Sequence, residues 1–85
     1  MRQNLVAANW KMNGNRETVG KLVEGLNTFM RTPRCDVVLA PGYLHIGQVY
    51  QELDLINVTV AGQNCSEYSE GPFTGEVSAK MLAEL

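Results

Sequence analysis

Apolar residues along this chain follow two alternating patterns. The continuous apolar run at residues 5–8 is typical of a strand buried on both faces, as in a parallel sheet. The mainly apolar runs at residues 35–40 and 56–61 predict a second buried strand and a third strand. The segments after these runs show helical spacing instead, at three sets of positions: Val19, Leu22, Val23, Leu26, Phe29 and Met30; Tyr43, Ile46, Val49, Tyr50 and Leu53; and Met81, Leu82 and Leu85. This order predicts βαβ units, and therefore a parallel α/β sheet with right-handed crossovers.

Turn and cap residues mark where the predicted elements end. Asn15 is a candidate N-cap for the first helix, with Glu17 in its first turn, and Thr32-Pro33 ends that helix. Pro41-Gly42 closes the second strand, and Ser78 can cap the last helix. These signals agree with the apolar pattern on the number and order of the elements.

The first predicted strand leads directly into polar residues. Side chains alternate along an extended chain, so Asn9 and Lys11 are expected on one side and Trp10 on the other. Parallel sheets and barrels place ligand sites at the carboxyl ends of their strands, and a lysine ammonium suits an anionic substrate. Asn9 and Lys11 are therefore candidate site residues. The alternative is that the stem of Lys11 covers apolar surface while its ammonium stays in water.

Composition limits the classes of protein to which the chain can belong. Its 85 residues are 45% hydrophobic and carry a net charge of -2, with a pI near 5.2, which predicts one small domain. No Lys/Arg cluster forms a basic face, so nucleic acid is not an expected partner. No signal-peptide core or membrane segment is present, which favours a cytoplasmic protein without a membrane partner. Cys35 and Cys65 have no metal-ligand spacing and are expected to be buried reduced thiols.

Other chemical motifs are weak. Gly20-Lys21 is followed by leucine where a phosphate-binding loop has a hydroxyl residue, and no strand is followed by a dinucleotide fingerprint. His45 is the single histidine, and because no Ser or Cys pairs with it, we expect a solvated or packed residue at a helix start. Glu67, Glu70 and Glu76 match no calcium-loop spacing, so no metal site is predicted.

Three stretches carry a resemblance to a known family. They are Asn-Trp-Lys-Met-Asn-Gly at residues 9–14, Val-Leu-Ala-Pro at residues 38–41, and Gly-Gln-Asn at residues 62–64 followed by Gly-Pro-Phe-Thr-Gly-Glu-Val-Ser at residues 71–78. In this order and at these spacings, the chain resembles the triosephosphate isomerase family over essentially its whole length. Ala8 and Pro72 stand where the family usually has Gly and Ala, and neither departure affects a charged group.

The resemblance implies that residues 1–85 are the amino-terminal part of a single (β/α)8 barrel domain of about 250 residues, of which they form the first three βα units. It implies an enzyme of glycolysis and gluconeogenesis that interconverts dihydroxyacetone phosphate and glyceraldehyde 3-phosphate through an enediol, with no cofactor or metal. The family's Glu base and neutral His electrophile are expected beyond residue 85, and His45 does not match the latter. The 85-residue chain by itself is therefore expected to be inactive.

Three residues match functional positions of the family. Lys11 matches the lysine that holds the substrate phosphate and the developing negative charge, and Asn9 matches the residue that orients substrate. Thr74 matches the tip of a loop, here residues 65–77, that inserts beside the partner subunit's active site, which implies a homodimer. The alternative is a small open-sheet module, complete at 85 residues, that binds an anion or a partner without catalysis. Further βα units carrying a Glu and a His would favour the enzyme.

Overall fold

The computed structural model describes residues 3–29 and 35–85, and within them it shows alternating strands and helices. The strands are β1 (Leu5–Asn9), β2 (Asp36–Ala40) and β3 (Val58–Val60). The helices are α1 (Arg16–Phe29), α2 (Ile46–Glu52), which a 3-10 turn at Tyr43–His45 precedes, and α3 (Ala79–Glu84). The strands pair in parallel in the order β1-β2-β3, which confirms the predicted α/β arrangement.

The register of the sheet separates two faces. Val37 of β2 pairs with Val6 and Val58, and Leu39 pairs with Ala8 and Val60, so these residues share one face. That face packs on α1 and α2, and the buried core consists of Val19, Val23, Val37, Leu39 and Val49. We call it the helix face, and the opposite one, which includes Leu5, Ala7 and Thr59, the open face. Leu5, Ala7 and Thr59 on the open face are all exposed.

Strand β1 is more exposed than the apolar run predicts. Leu5 is 63% exposed and Val6 is 52% exposed, so the prediction that this strand is buried on both faces is wrong. The reason is position: in the described part of the chain, β1 is an edge strand of the sheet and pairs with β2 on one side. Strand β3 is also shorter than the predicted run at residues 56–61, and Ile56 is fully exposed.

Helix α1 begins where its cap residue predicts. The side-chain Oδ1 of Asn15 accepts the backbone N–H of Thr18 at 2.9 Å, and the Thr18 hydroxyl accepts the N–H of Asn15 at 2.9 Å. Only part of the predicted apolar stripe is covered, because Leu22 is 47% and Phe29 is 86% exposed. Met30 and the predicted stop at Thr32-Pro33 lie outside the described residues.

Two side chains tie α2 to α1. Asn27 donates from Nδ2 to the carbonyl of Glu52 at 2.9 Å and accepts the N–H of Asp54 at 2.8 Å, and Gln48 donates to the carbonyl of Arg16 at 2.8 Å. These bonds fix the end of α2 against α1 and support the core beneath them. Tyr50, assigned by its spacing to the apolar stripe of α2, is 63% exposed.

The last part of the chain contains the predicted loop and a short helix. Ser78 caps α3 as expected, because its Oγ accepts the N–H of Met81 at 3.1 Å. Both cysteines are free, Cys35 half-buried and Cys65 exposed, so the expectation of buried thiols is wrong for Cys65, which begins a surface loop. In the part of the chain that the structure describes, every helix is too short or too polar to cross a membrane.

Candidate functional site

The carboxyl ends of the three strands meet at one edge of the sheet. Pairing continues beyond the strands themselves: Trp10 donates to the carbonyl of Ala40 at 3.0 Å, and Ala61 donates to the carbonyl of Leu39 at 2.8 Å. Lys11 follows the first of these segments, and Gln63 follows the last. Residues that are distant in sequence are therefore adjacent at this edge, as expected for parallel strands.

Lys11 has an unusual backbone conformation. Its φ of 56° lies in the left-handed region, and it is the one non-glycine residue with positive φ in residues 3–29 and 35–85. For a residue with a Cβ this conformation costs about 1 kcal/mol or more, so the surrounding structure must hold it. Two side chains do so. Oδ1 of Asn9 accepts the N–H of Lys11 at 2.8 Å, and Nε2 of Gln63 donates to the carbonyl of Lys11 at 2.9 Å.

This conformation changes how Asn9 and Lys11 are related. Side chains alternate between the two faces of the strand as far as Trp10, which lies opposite Asn9 as predicted. Trp10 is on the helix face and packs against the core. The alternation stops at Lys11, where the backbone turns left-handed. Asn9 and Lys11 are thus joined by an amide-to-backbone hydrogen bond rather than by a shared strand face. The amide of Asn9 fixes the backbone from which the lysine side chain projects.

Gln63 connects all three strand ends and is not among the residues predicted from the sequence. Besides the bond to Lys11, its Nε2 donates to the carbonyl of Ala40, the last residue of β2, at 2.9 Å. A primary amide has two N–H groups, and each has an acceptor here. The available signals are a polar side chain just after a predicted strand end and its place in the Gly-Gln-Asn stretch that carries the resemblance, and neither reveals its partners.

The backbone around Gln63 is held by close packing. A Cβ on Gly62 would lie 2.8 Å from Cδ1 of Leu82 and 3.1 Å from Cε1 of Tyr43, so a larger residue would require the Leu82 side chain to shift. The Tyr43 hydroxyl donates to Oδ1 of Asn64 at 2.7 Å and accepts the N–H of Asn64 at 3.2 Å. Residues 62–64 are therefore fixed on both sides of Gln63.

A cavity of about 390 Å³ opens beside Lys11. We call it the Lys11 groove; its lining residues are Lys11, Met12, Asn13, Gly14, Gly42, Tyr43, Leu44, His45 and Gln63. Two apolar side chains on it are almost fully exposed, Met12 at 99% and Leu44 at 95%. One ammonium among amide and apolar groups suits a small anion. His45, expected to be solvated or packed, is half-buried on the groove wall.

A larger cavity, of about 650 Å³, lies in the helix layer between α1 and α2. We call it the α1–α2 groove. Its lining mixes three acidic residues with Arg16 and Lys21, and Lys21 forms an exposed ion pair with Glu17 at 3.3 Å. Such a pair stabilises little. Opposite charges here are satisfied by one another or by water, so the larger cavity is the weaker candidate.

The loop at residues 65–77 has internal structure of its own. Its base is closed where Ser66 donates to the carbonyl of Val77 at 2.7 Å, and the rings of Tyr68 and Phe73 stack with centroids 4.4 Å apart. Thr74 is exposed beside this stack and does not line the Lys11 groove. In the described residues, no three His, Cys, Asp or Glu side chains come together as a metal site.

Comparisons with known proteins show the family of this chain. The family model described as Triosephosphate isomerase matches residues 4–85. The triosephosphate isomerase of Phocaeicola vulgatus is 40% identical over 85 residues, which cover 98% of this chain and 34% of the relative. The triosephosphate isomerase of Colwellia psychrerythraea is 40% identical over 88 aligned residues, which cover 99% of this chain and 34% of the relative. That of Clostridium botulinum is 39% identical over 85 residues, which cover 100% of this chain and 34% of the relative.

The chain thus spans about a third of the length of the curated relatives that it matches. Its three parallel strands, alternating with helices, fit the first βα units of a TIM barrel and confirm the fold that the resemblance implies. Because the family model covers nearly every residue, the chain belongs to the triosephosphate isomerase family.

Proposed function

We propose that this chain is the amino-terminal part of a single-domain triosephosphate isomerase. The reaction interconverts dihydroxyacetone phosphate and D-glyceraldehyde 3-phosphate, two isomers, so a proton moves between carbons with no net oxidation and no cofactor. The observation that carries the proposal is Lys11, fixed at the carboxyl end of β1 in a chain of this family.

Lys11 supplies the positive charge that the substrate requires. The triose carries a phosphate dianion, and an oxygen becomes anionic as the enediol forms, so one compact ammonium stabilises both charges. Asn9 orients the substrate and also holds the backbone of Lys11. The Glu that takes the carbon-bound proton and the His electrophile belong to later strands, so residues 1–85 alone do not catalyse the reaction.

The homodimer is the second part of the proposal. We place the Thr74 loop, residues 65–77, beside Lys11 of the partner subunit. Two features support this: the loop is ordered by its own contacts, and the Lys11 groove exposes Met12 and Leu44 almost completely. A loop of fixed shape that covers exposed apolar side chains gains buried area at low entropic cost. We assign the protein to the cytoplasm, with no nucleic-acid or membrane partner.

The test uses the full-length protein and a coupled assay in both directions. Lys11→Met keeps the approximate length of the side chain and removes its charge, so kcat/KM should fall by about a hundredfold to a thousandfold. Lys21→Met is the matched control, because Lys21 lines the α1–α2 groove and is largely exposed. It should stay within about twofold of the parent. A parent without turnover, or a Lys11→Met protein within about fivefold of it, overturns the proposal.

A further inference from the structure

Gln63 is a half-buried side chain to which the proposed reaction gives no role. Its Nε2 donates to two carbonyls, those of Lys11 and Ala40, each at 2.9 Å. With both N–H groups in use, Gln63 has no donor left for a bound anion, and its remaining oxygen is an acceptor that an anion avoids. Direct contact with the phosphate is therefore not its function.

The left-handed backbone of Lys11 needs support that local sequence does not supply. Residues with a Cβ avoid this region, and such conformations persist where the surrounding structure fixes them. Asn9 holds the N–H of Lys11 from two residues away, whereas Gln63 holds its carbonyl from 52 residues away. Gln63 thus adds a long-range contact at Lys11 itself to the backbone pairing of Trp10 with Ala40.

The position of Gln63 is itself fixed. Leu82 of α3 and Tyr43 fill the space where a Cβ of residue 62 would lie, and Asn64 exchanges two hydrogen bonds with the Tyr43 hydroxyl. A series of direct contacts therefore runs from α3 through residues 62–64 to the carbonyl of Lys11. Small displacements of a catalytic group lower reaction rates substantially, so such a support has a measurable effect.

We propose that Gln63 is a positioning residue: by joining the carbonyls of Lys11 and Ala40, it fixes the direction in which the Lys11 ammonium projects. This inference rests on the proposed function, because the activity through which it is measured is that of the isomerase. If Gln63 acts through Lys11, removing it matters only while the ammonium is present.

The experiment is a double-mutant cycle in the full-length protein, with Gln63→Met, Lys11→Met and the double variant. Gln63→Met should lower kcat/KM by about 10- to 100-fold when Lys11 is present. In the Lys11→Met background, the same change should lower it by less than about twofold. Equal losses in the two backgrounds, or a loss under about twofold with Lys11 present, overturn the inference.

Gln48→Met is the matched control, because Gln48 also donates from Nε2 to a backbone carbonyl, that of Arg16 at 2.8 Å, but does so in the helix layer. Its kcat/KM should remain within about twofold of the parent. Gln63→Glu is the second variant; it keeps the length, but its carboxylate has no proton for the two carbonyls, so the loss should be at least as large as for Met.

Two measurements separate the possible failures. Sedimentation and thermal unfolding compare the variants as folded proteins, and a failure of both Gln63 variants to fold would assign Gln63 a purely structural role and overturn the inference. The parent is assayed first. A parent without isomerase turnover rejects the proposed function, whereas an active parent with equal losses in both backgrounds rejects only the role of Gln63.

Discussion

The two grooves of this molecule differ in how firmly the backbone that carries their charged groups is held. The α1–α2 groove is larger, about 650 Å³ against about 390 Å³, and contains more charged groups. Those charges are of both signs and belong to exposed side chains, as in the Glu17–Lys21 pair. The Lys11 groove has one ammonium, whose backbone is held at the N–H and at the carbonyl. Fixed geometry, rather than size or charge count, distinguishes a candidate site from a surface cleft.

The largest expected effect is on the dimer, and it tests whether the Thr74 loop covers the Lys11 groove of the partner subunit. In the full-length protein, Thr74→Arg forces a bulky cation into the proposed interface beside the partner's Lys11, so we expect dissociation toward monomers and a loss of activity of at least about tenfold. Thr28→Arg is the control, since Thr28 lines the α1–α2 groove. It should leave the dimer intact. Sedimentation at micromolar concentration gives the answer, and an unchanged Thr74→Arg dimer would contradict the assigned contact.

A smaller effect is expected from keeping the charge and changing its shape. Lys11→Arg retains a cation but replaces a compact ammonium by a planar guanidinium, so kcat/KM should lie roughly tenfold below the parent and above Lys11→Met. Lys21→Arg, in the α1–α2 groove, should leave kcat/KM unchanged. Steady-state kinetics of the full-length variants measure both. Parent-like activity for Lys11→Arg would show that the groove recognises charge without shape.

The smallest effect concerns stability and should have opposite signs at Gly62, next to Gln63 of the Lys11 groove, and at Gly20 of the α1–α2 groove. Gly62→Ala places a Cβ 2.8 Å from Leu82, so we expect destabilisation by about 1 to 3 kcal/mol. Gly20→Ala, inside α1, meets nothing closer than Nε2 of Gln48 at 3.5 Å and should stabilise by about 0.5 to 1 kcal/mol. Denaturant unfolding of the full-length variants provides both values. A Gly62→Ala protein at least as stable as the parent would show that packing at the strand ends is looser than these distances indicate.

Local patterns in the sequence predict much of this structure. The Asn15 and Ser78 caps, the end of β2 at Ala40, and the order of strands and helices follow from apolar spacing and from capping chemistry that acts over three or four residues. The exposure of Leu5, Ile56 and Phe29 does not follow, because burial depends on which neighbours cover a residue. An apolar run has the same pattern at the edge of a sheet as at its centre.

Short motifs and local apolar spacing are enough to predict the family, the parallel α/β order and the position of Asn9 and Lys11 after the first strand, because these signals lie in residues close together along the chain. The left-handed backbone of Lys11, its bond to Gln63 over 52 residues and the bonds of Trp10 and Gln63 to the carbonyl of Ala40 appear only in the folded sheet. These contacts depend on the register of three strands, which brings distant residues together. No local pattern contains that register, so the groups that hold the candidate site are visible only once the sheet has formed.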